Sequence, residues 1–335
     1  MILFFLIPLI AFSLSVKLDG AITDISVYGR KIAVGTEAGK LYILSEKLNI
    51  ISEVSFPSFK DFMGEIQKPK VFSVDIYRGK ILVVCEDNLG KSSVYLYENG
   101  RLKPILKLTE ARKAMFYNDN EIIIGTISNE VWKYNLKEKK TVYRYLVFRF
   151  AFSDFDMNKK KNLIAWGDES GKVFFIDPKT GRLIGVATQG NKDKIFKVSF
   201  SRNRVLSGGR DKKAVLYNLQ KKLKDKNIWK KKLDAPSLLK DIRTQFINRK
   251  LAFILLPEKV FKTNFMVFAV ALSPEEHFAA YTSDDKGTIK IVRLTDYREI
   301  SLNVGCFVNT LEFINEHKLA VGCINGNLKI VEVKR

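Results

Sequence analysis

Two histidines, His277 and His317, are the only imidazoles that this chain could use as a general acid or base. Each immediately precedes a short apolar stretch that reads as a β-strand, so each is expected in an exposed turn. The two turns belong to separate segments, and no serine or aspartate accompanies them in a pattern that would form a nucleophilic triad. Histidine-based catalysis is therefore not predicted.

Three cysteines, Cys85, Cys306 and Cys323, are the candidate thiolate ligands. None has the Cys-x-x-Cys spacing of zinc or haem sites, so no metal site is predicted. Cys85 lies within an apolar strand and is expected to pack in the core. Cys306 and Cys323 flank one predicted hairpin, but simple counting leaves them about three residues out of register, so a disulfide between them stays an open alternative.

Acidic residues occur as pairs in predicted turns, at Glu86-Asp87, Glu275-Glu276 and Asp284-Asp285. Turns leave such side chains solvated, and no Asp-x-Asp-x-Asp-Gly loop is present that would bind calcium. Because no acid, base and nucleophile converge in the sequence, we expect no catalytic residue, no cofactor and no metal. The chain is expected not to be an enzyme.

Lysine is the residue type with the clearest local concentration. The 335 residues include 57 Lys and Arg against 36 Asp and Glu, a formal net charge of +21. One cluster is Lys159-Lys160-Lys161, and a second lies in the segment 221–232. The candidate partner-binding residues of the second cluster are Lys221, Lys222, Lys224, Lys226, Lys230, Lys231 and Lys232.

Two interpretations of these lysine clusters stay open. One is a solvated rim with no specific role, and the other is electrostatic steering toward an acidic protein or an anionic membrane face. A nucleic acid would suit the charge, but no nucleic-acid-binding motif is present. We therefore expect protein partners that are acidic or membrane-associated, and no nucleic acid.

The elements that must position these residues repeat along the chain. Each unit of roughly 40 residues has an apolar strand, a polar turn, a second strand that ends in small residues, a turn rich in Gly, Asp or Asn, and an aromatic-rich third strand. Seven such units are visible between residues 22 and 333. Because sheets packed radially in a ring bury one another, the repeat predicts an all-β fold, a seven-bladed β-propeller.

Ring closure and blade number depend on two segments. The last unit supplies only three strands, so the mature N-terminus is predicted to pair with the last blade as its fourth strand. Residues 235–266 have a poorer strand pattern, which indicates either a long connection with an outer strand or an eighth, atypical blade; we favour seven blades. Residues 16–335 are expected to form one domain and a monomer.

The first residues read as an export signal. Residues 1–14 are almost wholly apolar, and Ser13-Leu14-Ser15 supplies the small residues of a cleavage site after Ser15. The run is too short to span a bilayer, although it lacks a basic start, so an uncleaved anchor or a buried strand is the alternative. We expect residues 1–15 to be a secretory signal peptide, a periplasmic location and no membrane span in the mature chain.

The repeats resemble those of the WD40 family over essentially the whole mature chain. Three dipeptides stand where that family has Trp-Asp: Tyr134-Asn135, Ile176-Asp177 and Tyr217-Asn218. No blade carries the family's Gly-His dipeptide or a true Trp-Asp, so the histidine-based hydrogen-bond network of typical blades is expected to be missing. The chain is similar to a divergent bacterial WD40-like propeller.

The resemblance implies a rigid, non-catalytic protein-interaction scaffold. The export signal, the single ring and the stretch 265–285 also loosely resemble the NapL-type WD40-like accessory proteins of periplasmic nitrate reductase. That resemblance would imply a role in the assembly or maturation of a respiratory reductase. A propeller enzyme or cofactor-binding protein, with its site at the central channel, is the alternative function.

Overall fold

The structure, a computed structural model, describes residues 14–61, 63–224 and 251–333, and it consists of strands joined by turns and loops. Seven sheets of four or five strands follow one another along the chain, and each packs against its neighbours. The inner strands of successive sheets face one another around a central channel. The predicted all-β, seven-bladed propeller is therefore confirmed.

Strand β1 (Leu14–Lys17) precedes the first complete blade. Blades 1 and 2 contain β2 (Ile22–Tyr28), β3 (Lys31–Thr36), β4 (Lys40–Ser45) and β5 (Ile50–Ser55), then, after a small hairpin of β6 (Phe59–Lys60) and β7 (Ile66–Gln67), β8 (Val71–Tyr77), β9 (Lys80–Glu86), β10 (Ser92–Glu98) and β11 (Arg101–Thr109). Blades 3 and 4 contain β12 (Ala111–Phe116), β13 (Glu121–Thr126), β14 (Glu130–Asn135), β15 (Lys140–Leu146), β16 (Phe152–Met157), β17 (Ile164–Asp168), β18 (Val173–Ile176) and β19 (Leu183–Ala187).

The remaining strands complete three blades and an insertion. Blade 5 contains β20 (Ile195–Phe200), β21 (Arg204–Gly209), β22 (Lys213–Asn218) and β24 (Pro257–Lys262), with β23 (Phe253–Leu255) in the insertion. Blades 6 and 7 contain β25 (Val270–Leu272), β26 (Phe278–Thr282), β27 (Thr288–Arg293), β28 (Glu299–Asn303), β29 (Val308–Asn315), β30 (Lys318–Cys323) and β31 (Asn327–Glu332). Short 3-10 helices span Asn88–Gly90 and Leu219–Lys221.

The hydrophobic core lies between neighbouring blades. In one such layer Ile22 and Val34 of blade 1 pack against Leu328 and Ile330 of blade 7. Small residues in the second strands permit this close approach, as predicted. A side chain at Gly208, for example, would lie within 3.0 Å of the Val267 and Val270 side chains that lead into blade 6. Each blade thus buries a face that a single sheet would expose to water.

The N-terminal strand closes the ring. Strand β1 pairs antiparallel with β31, with Leu14 opposite Ile330 and Lys17 opposite Asn327. The amide of Leu18 then donates to the Gly326 carbonyl over 2.8 Å. Pairing the first strand with the last blade covers an edge that would otherwise be open, and it confirms the predicted closure.

The irregular segment before β24 is an insertion within blade 5. Strand β24 pairs with β22 as the fourth strand of that blade, so the insertion lies between the third and fourth strands. Just before it, β23 adds a fifth strand to blade 4 by parallel pairing with β19. The described residues contain no eighth blade, so the alternative of an atypical extra blade is wrong.

Candidate functional site

A basic groove lies where blades 4 and 5 meet, on the face where the inner strands end. This face is called the lower face below. Its walls are the turn between β16 and β17, the turn between β20 and β21, and the residues that follow β22. The basic side chains around this groove are Lys159, Lys160, Arg202 and Lys222. The structure therefore brings members of both predicted lysine clusters to one site.

Local hydrogen bonds shape the first wall of the basic groove. The Asn158 side-chain oxygen accepts from the amides of Asn162 and Leu163 over 3.0 and 3.2 Å. This compact turn reverses the chain after β16 and leaves Lys159 and Lys160 exposed. Asparagine is common at such turns because its side chain substitutes for a backbone acceptor.

The cations around the basic groove differ in how they are paired. Lys159 lies 2.8 Å from a Glu275 oxygen, and Arg202 pairs with the same carboxylate. Lys160 and Lys222 make no ion pair with any residue in the described ranges, and the Lys222 ammonium lies 5.5 Å from the centre of the Phe253 ring. Two lysines without a carboxylate partner among the described residues thus border the opening.

The floor of the basic groove is apolar. Leu163, Ile184 and Leu219 are partly exposed there, and they pack against the core of blades 4 and 5. Phe253 of β23 lies beneath them and is buried. An apolar floor surrounded by cations suits an acidic peptide segment that also carries apolar side chains. Such a ligand would bury apolar surface on the floor and place its carboxylates beside the cations.

The outcome for the predicted lysines is mixed. Lys222 lines the basic groove, while Lys221 is held 2.7 Å from Glu258 and Lys224 is exposed. Lys226, Lys230, Lys231 and Lys232 lie outside the described residues. The sequence did not reveal that Arg202 and the apolar floor would join the lysines, because those residues come from other blades.

The central channel is the second charged site. In six blades the inner strand directs two side chains, two residues apart, into it. The upper ring, nearer the start of the inner strands, consists of Asp24, Ser73, Lys113, Asp154, Lys197 and Thr310. The lower ring consists of Ser26, Asp75, Met115, Asp156, Ser199 and Glu312.

The upper ring contains two ion pairs that cross between blades. Lys113 of blade 3 lies 2.8 Å from Asp154 of blade 4, and Lys197 of blade 5 lies 3.1 Å from Asp24 of blade 1. Burial lowers the pKa of Lys113, but the carboxylates of Asp154 and Asp24 outweigh it and hold the pKa above its usual value. Both lysines are therefore charged at neutral pH.

Channel side chains also bind the backbone of the next blade. Asp24 accepts from the Val74 amide over 3.0 Å, and Asp154 accepts from the Val198 amide over the same distance. Ser199 accepts from the Leu272 amide over 2.9 Å. These bonds join successive inner strands, so the channel network stabilises the ring as well as lining it.

The lower ring has three carboxyl groups and no lysine. Desolvation raises the pKa of Asp75 and Asp156 to about 6. Desolvation, together with nearby Asp156, raises the pKa of Glu312 to about 8. This ring gathers single carboxylates from separate blades, whereas the sequence had drawn attention to the acidic pairs in turns.

The histidines and cysteines occupy the predicted kinds of position. His277 lies in a turn of blade 6, 48% exposed, with Nδ1 3.0 Å from Glu316 of blade 7. Cys85 is buried as a free thiol, and Cys306 and Cys323 form a disulfide with Cα atoms 5.9 Å apart. Cys306 lies in the bend before β29, two residues before Val308, and Val308 is the strand partner of Cys323.

A hydrogen-bond network of the WD40 kind forms without histidine. In blade 5 the Ser207 hydroxyl donates to the Asn191 side-chain oxygen over 2.6 Å, and the Asn191 amide donates to Asp211 over 2.9 Å. Gly190 precedes Asn191, and a Cβ there would collide with the Tyr217 hydroxyl. The prediction concerned a histidine-based network only; in this blade asparagine stands where the imidazole would and forms a network of different composition.

Within the described part of the chain, no three His, Cys, Asp or Glu side chains come together as a metal site. Across the same ranges, no helix is both long enough and apolar enough to cross a membrane.

Comparisons with known proteins identify the fold. No protein-family model matches the sequence, and the search of curated proteins found no match. Among solved structures, the β-propeller domain of Myceliophteria thermophila Cps50 (Swd1) superposes with a TM-score of 0.71, over 96% of this chain and 98% of that one, at 15% identity. At this identity the likeness concerns the fold alone: the chain is a seven-bladed β-propeller.

Proposed function

We propose that this propeller is a non-catalytic scaffold that binds an acidic protein segment in the basic groove between blades 4 and 5. The observation that carries the proposal is the convergence of Lys160, Lys222 and an apolar floor from three separate parts of the chain. A merely solvated rim would not require cations from different blades to surround one apolar opening.

Charge reversal at the basic groove is expected to weaken this binding strongly. The probe is a fluorescein-labelled peptide that alternates Glu and Leu, and the readout is fluorescence anisotropy. We expect Lys160→Glu combined with Lys222→Glu to weaken the complex by about tenfold or more, because both unpaired cations become repulsive. Salt should also weaken wild-type binding, since the groove is solvent-exposed.

The matched control reverses two lysines on the same face of another blade. Lys137→Glu with Lys139→Glu changes the net charge by the same amount, and both positions are exposed in the turn after β14. Equal losses in the two double variants would show that only total charge matters and would overturn the proposed site. Retained binding in the groove variant would have the same consequence.

We further propose that the protein is exported and acts in the periplasm, with the accessory role for a respiratory nitrate reductase as its narrowest form. The apolar N-terminus and the oxidised pair Cys306–Cys323 support an oxidising compartment. Residues 1–13 of the predicted signal peptide lie outside the described residues. Cleavage after Ser15 would remove Leu14 and Ser15 from the closing strand and leave Val16 and Lys17 to pair with Leu328 and Asn327. Cell fractionation with mass spectrometry of the mature N-terminus tests the location, and capture of a reductase subunit tests the role.

The alternative function, a propeller enzyme or cofactor-binding protein, has one observation in its favour. The channel brings five carboxyl groups and two lysines within one site. However, both lysines are already paired with carboxylates, and the paired aspartates also accept backbone hydrogen bonds. The network therefore has a structural role that requires no ligand, and the scaffold remains the function that we propose.

A further inference from the structure

The upper mouth of the channel, on the face opposite the basic groove, contains an arginine without a carboxylate partner. In six blades the inner strand has a register shift just before its upper-ring residue. Such bulges re-aim side chains. In blade 3 the bulge falls at Arg112, so that Arg112 and Lys113, consecutive in sequence, both line the mouth.

The charges that line the upper mouth can be matched one by one. Four cations and three anions are present. The matched pairs are Lys113 with Asp154, Lys197 with Asp24, and Lys194 with Glu169 at 2.8 Å. Arg112 is the cation that remains, and it makes no ion pair with any residue that the structure describes.

The surroundings of Arg112 hold its guanidinium in place without neutralising it. The guanidinium carbon lies 4.5 Å from the centre of the Phe72 ring, and one nitrogen donates a 3.3 Å hydrogen bond to the Ala111 carbonyl. Two carboxylates act on Arg112 electrostatically without forming an ion pair with it: Glu110 pairs with Lys91 at 3.0 Å, and Glu86 accepts from the Lys70 amide at 3.2 Å. Burial lowers the pKa of Arg112, and Glu86 and Glu110 offset this only in part, so an anion in direct contact would relieve a desolvated charge.

The walls beside Arg112 are apolar on one side. Phe72, Ile127 and Ala151 line the mouth together with the guanidinium, and the opening has a volume of about 340 Å³. We propose that this mouth binds a carboxylate borne on an apolar or aromatic group, with the carboxylate on Arg112 and the apolar group against Phe72 and Ile127. An arginine fork matches a carboxylate geometrically, and partial burial strengthens the pair.

The test uses 3-phenylpropionate as the probe and isothermal titration calorimetry of the full chain at low salt. We expect wild-type protein to bind the acid with a dissociation constant on the order of a millimolar. Arg112→Gln should weaken binding at least tenfold, because a charge-assisted hydrogen bond is lost. The amide 3-phenylpropionamide should bind wild-type protein at least tenfold more weakly than the acid.

Arg144 provides the matched control. It stacks on Trp132 at 4.6 Å, as Arg112 stacks on Phe72, but its guanidinium is paired with Glu130 at 2.8 Å. Arg144→Gln should therefore leave affinity for the acid unchanged. Failure of the wild-type protein to bind, equal binding of acid and amide, or equal losses in the Arg112 and Arg144 variants would each overturn the proposal.

A second probe distinguishes two sources of the carboxylate. A short peptide that ends in Phe is compared with its C-terminally amidated form, in both wild-type protein and Arg112→Gln. Tighter binding of the free-acid peptide than of 3-phenylpropionate assigns the site to a polypeptide C-terminus, and the reverse order assigns it to a small free acid. Because the basic groove lies on the other face, failure of this site leaves the scaffold proposal intact.

Discussion

Replacing Asp154 by Ala is expected to lower the unfolding free energy by about 3–5 kcal/mol. The substitution removes the ion-pair partner of buried Lys113 and the acceptor of the Val198 amide. Both groups would remain away from water without a replacement partner. Urea-induced unfolding at pH 7, followed by intrinsic fluorescence, measures the change.

Two further variants test the roles of the Asp154 charge and of its hydrogen bond to Val198. Asp154→Asn keeps an acceptor for Val198 and should cost less than Asp154→Ala. Glu138→Ala breaks an exposed pair with Lys140 and should change stability little. Similar small effects of Asp154→Ala and Glu138→Ala would contradict a structural role for the channel pairs.

Glu312→Gln is expected to stabilise the protein increasingly as the pH rises. The folded structure raises the pKa of Glu312 from 4.5 to about 8, through desolvation and nearby Asp156 and Asp24, although Lys113 and Lys197 oppose this. Between these two values the folded protein holds a proton that the unfolded chain has released. The stability of the wild-type protein should therefore fall across this pH window.

A glutamine at position 312 does not titrate, so the variant lacks the part of the pH dependence of the unfolding free energy that Glu312 causes. The difference in unfolding free energy between Glu312→Gln and wild type should grow from pH 4.5 to pH 8, reaching up to about 5 kcal/mol. Urea unfolding at several pH values measures it. Parallel stability curves for the two proteins over that range would show that Glu312 is not desolvated in the folded channel.

The fold was predictable from sequence because a propeller is built from local, repeated units. The alternation of apolar residues and the turn residues recur in every blade, so strands such as β3 and β30 could be recognised without long-range information. The closing strand followed from counting, since the last unit lacked one. Even the insertion in blade 5 was visible as a break in the repeat.

The channel was not predictable because its residues meet only when the ring closes. Lys113 and Asp154 are 41 residues apart, and Lys197 and Asp24 are 173 apart. Within its own strand each looks like an ordinary polar residue on a half-buried strand. The bulge at Arg112 turns this side chain toward the mouth. Such bulges also break the two-residue alternation of apolar and polar residues by which a strand is recognised in a sequence.

The network around Asn191 was missed for a different reason. A search for the family's histidine finds nothing, yet asparagine at the same place donates one hydrogen bond to Asp211 and accepts another from Ser207. The glycine before Asn191 would have pointed to this network. A side chain at Gly190 would collide with Tyr217 of the third strand, so the Gly190-Asn191 dipeptide retains the glycine of the family's Gly-His.

Hydrogen exchange at the closing strand tests the central claim, a ring joined by its two ends, most directly. Mass spectrometry of peptides that cover residues 16–20 and 327–333 reports both partners of the β1–β31 pairing that the mature chain retains. The closed ring predicts that the amide of Leu18, which donates to the Gly326 carbonyl, exchanges as slowly as those of inner blade strands. Exchange within seconds in the N-terminal peptide, as for an unstructured terminus, would contradict the closure and the blade arrangement built on it.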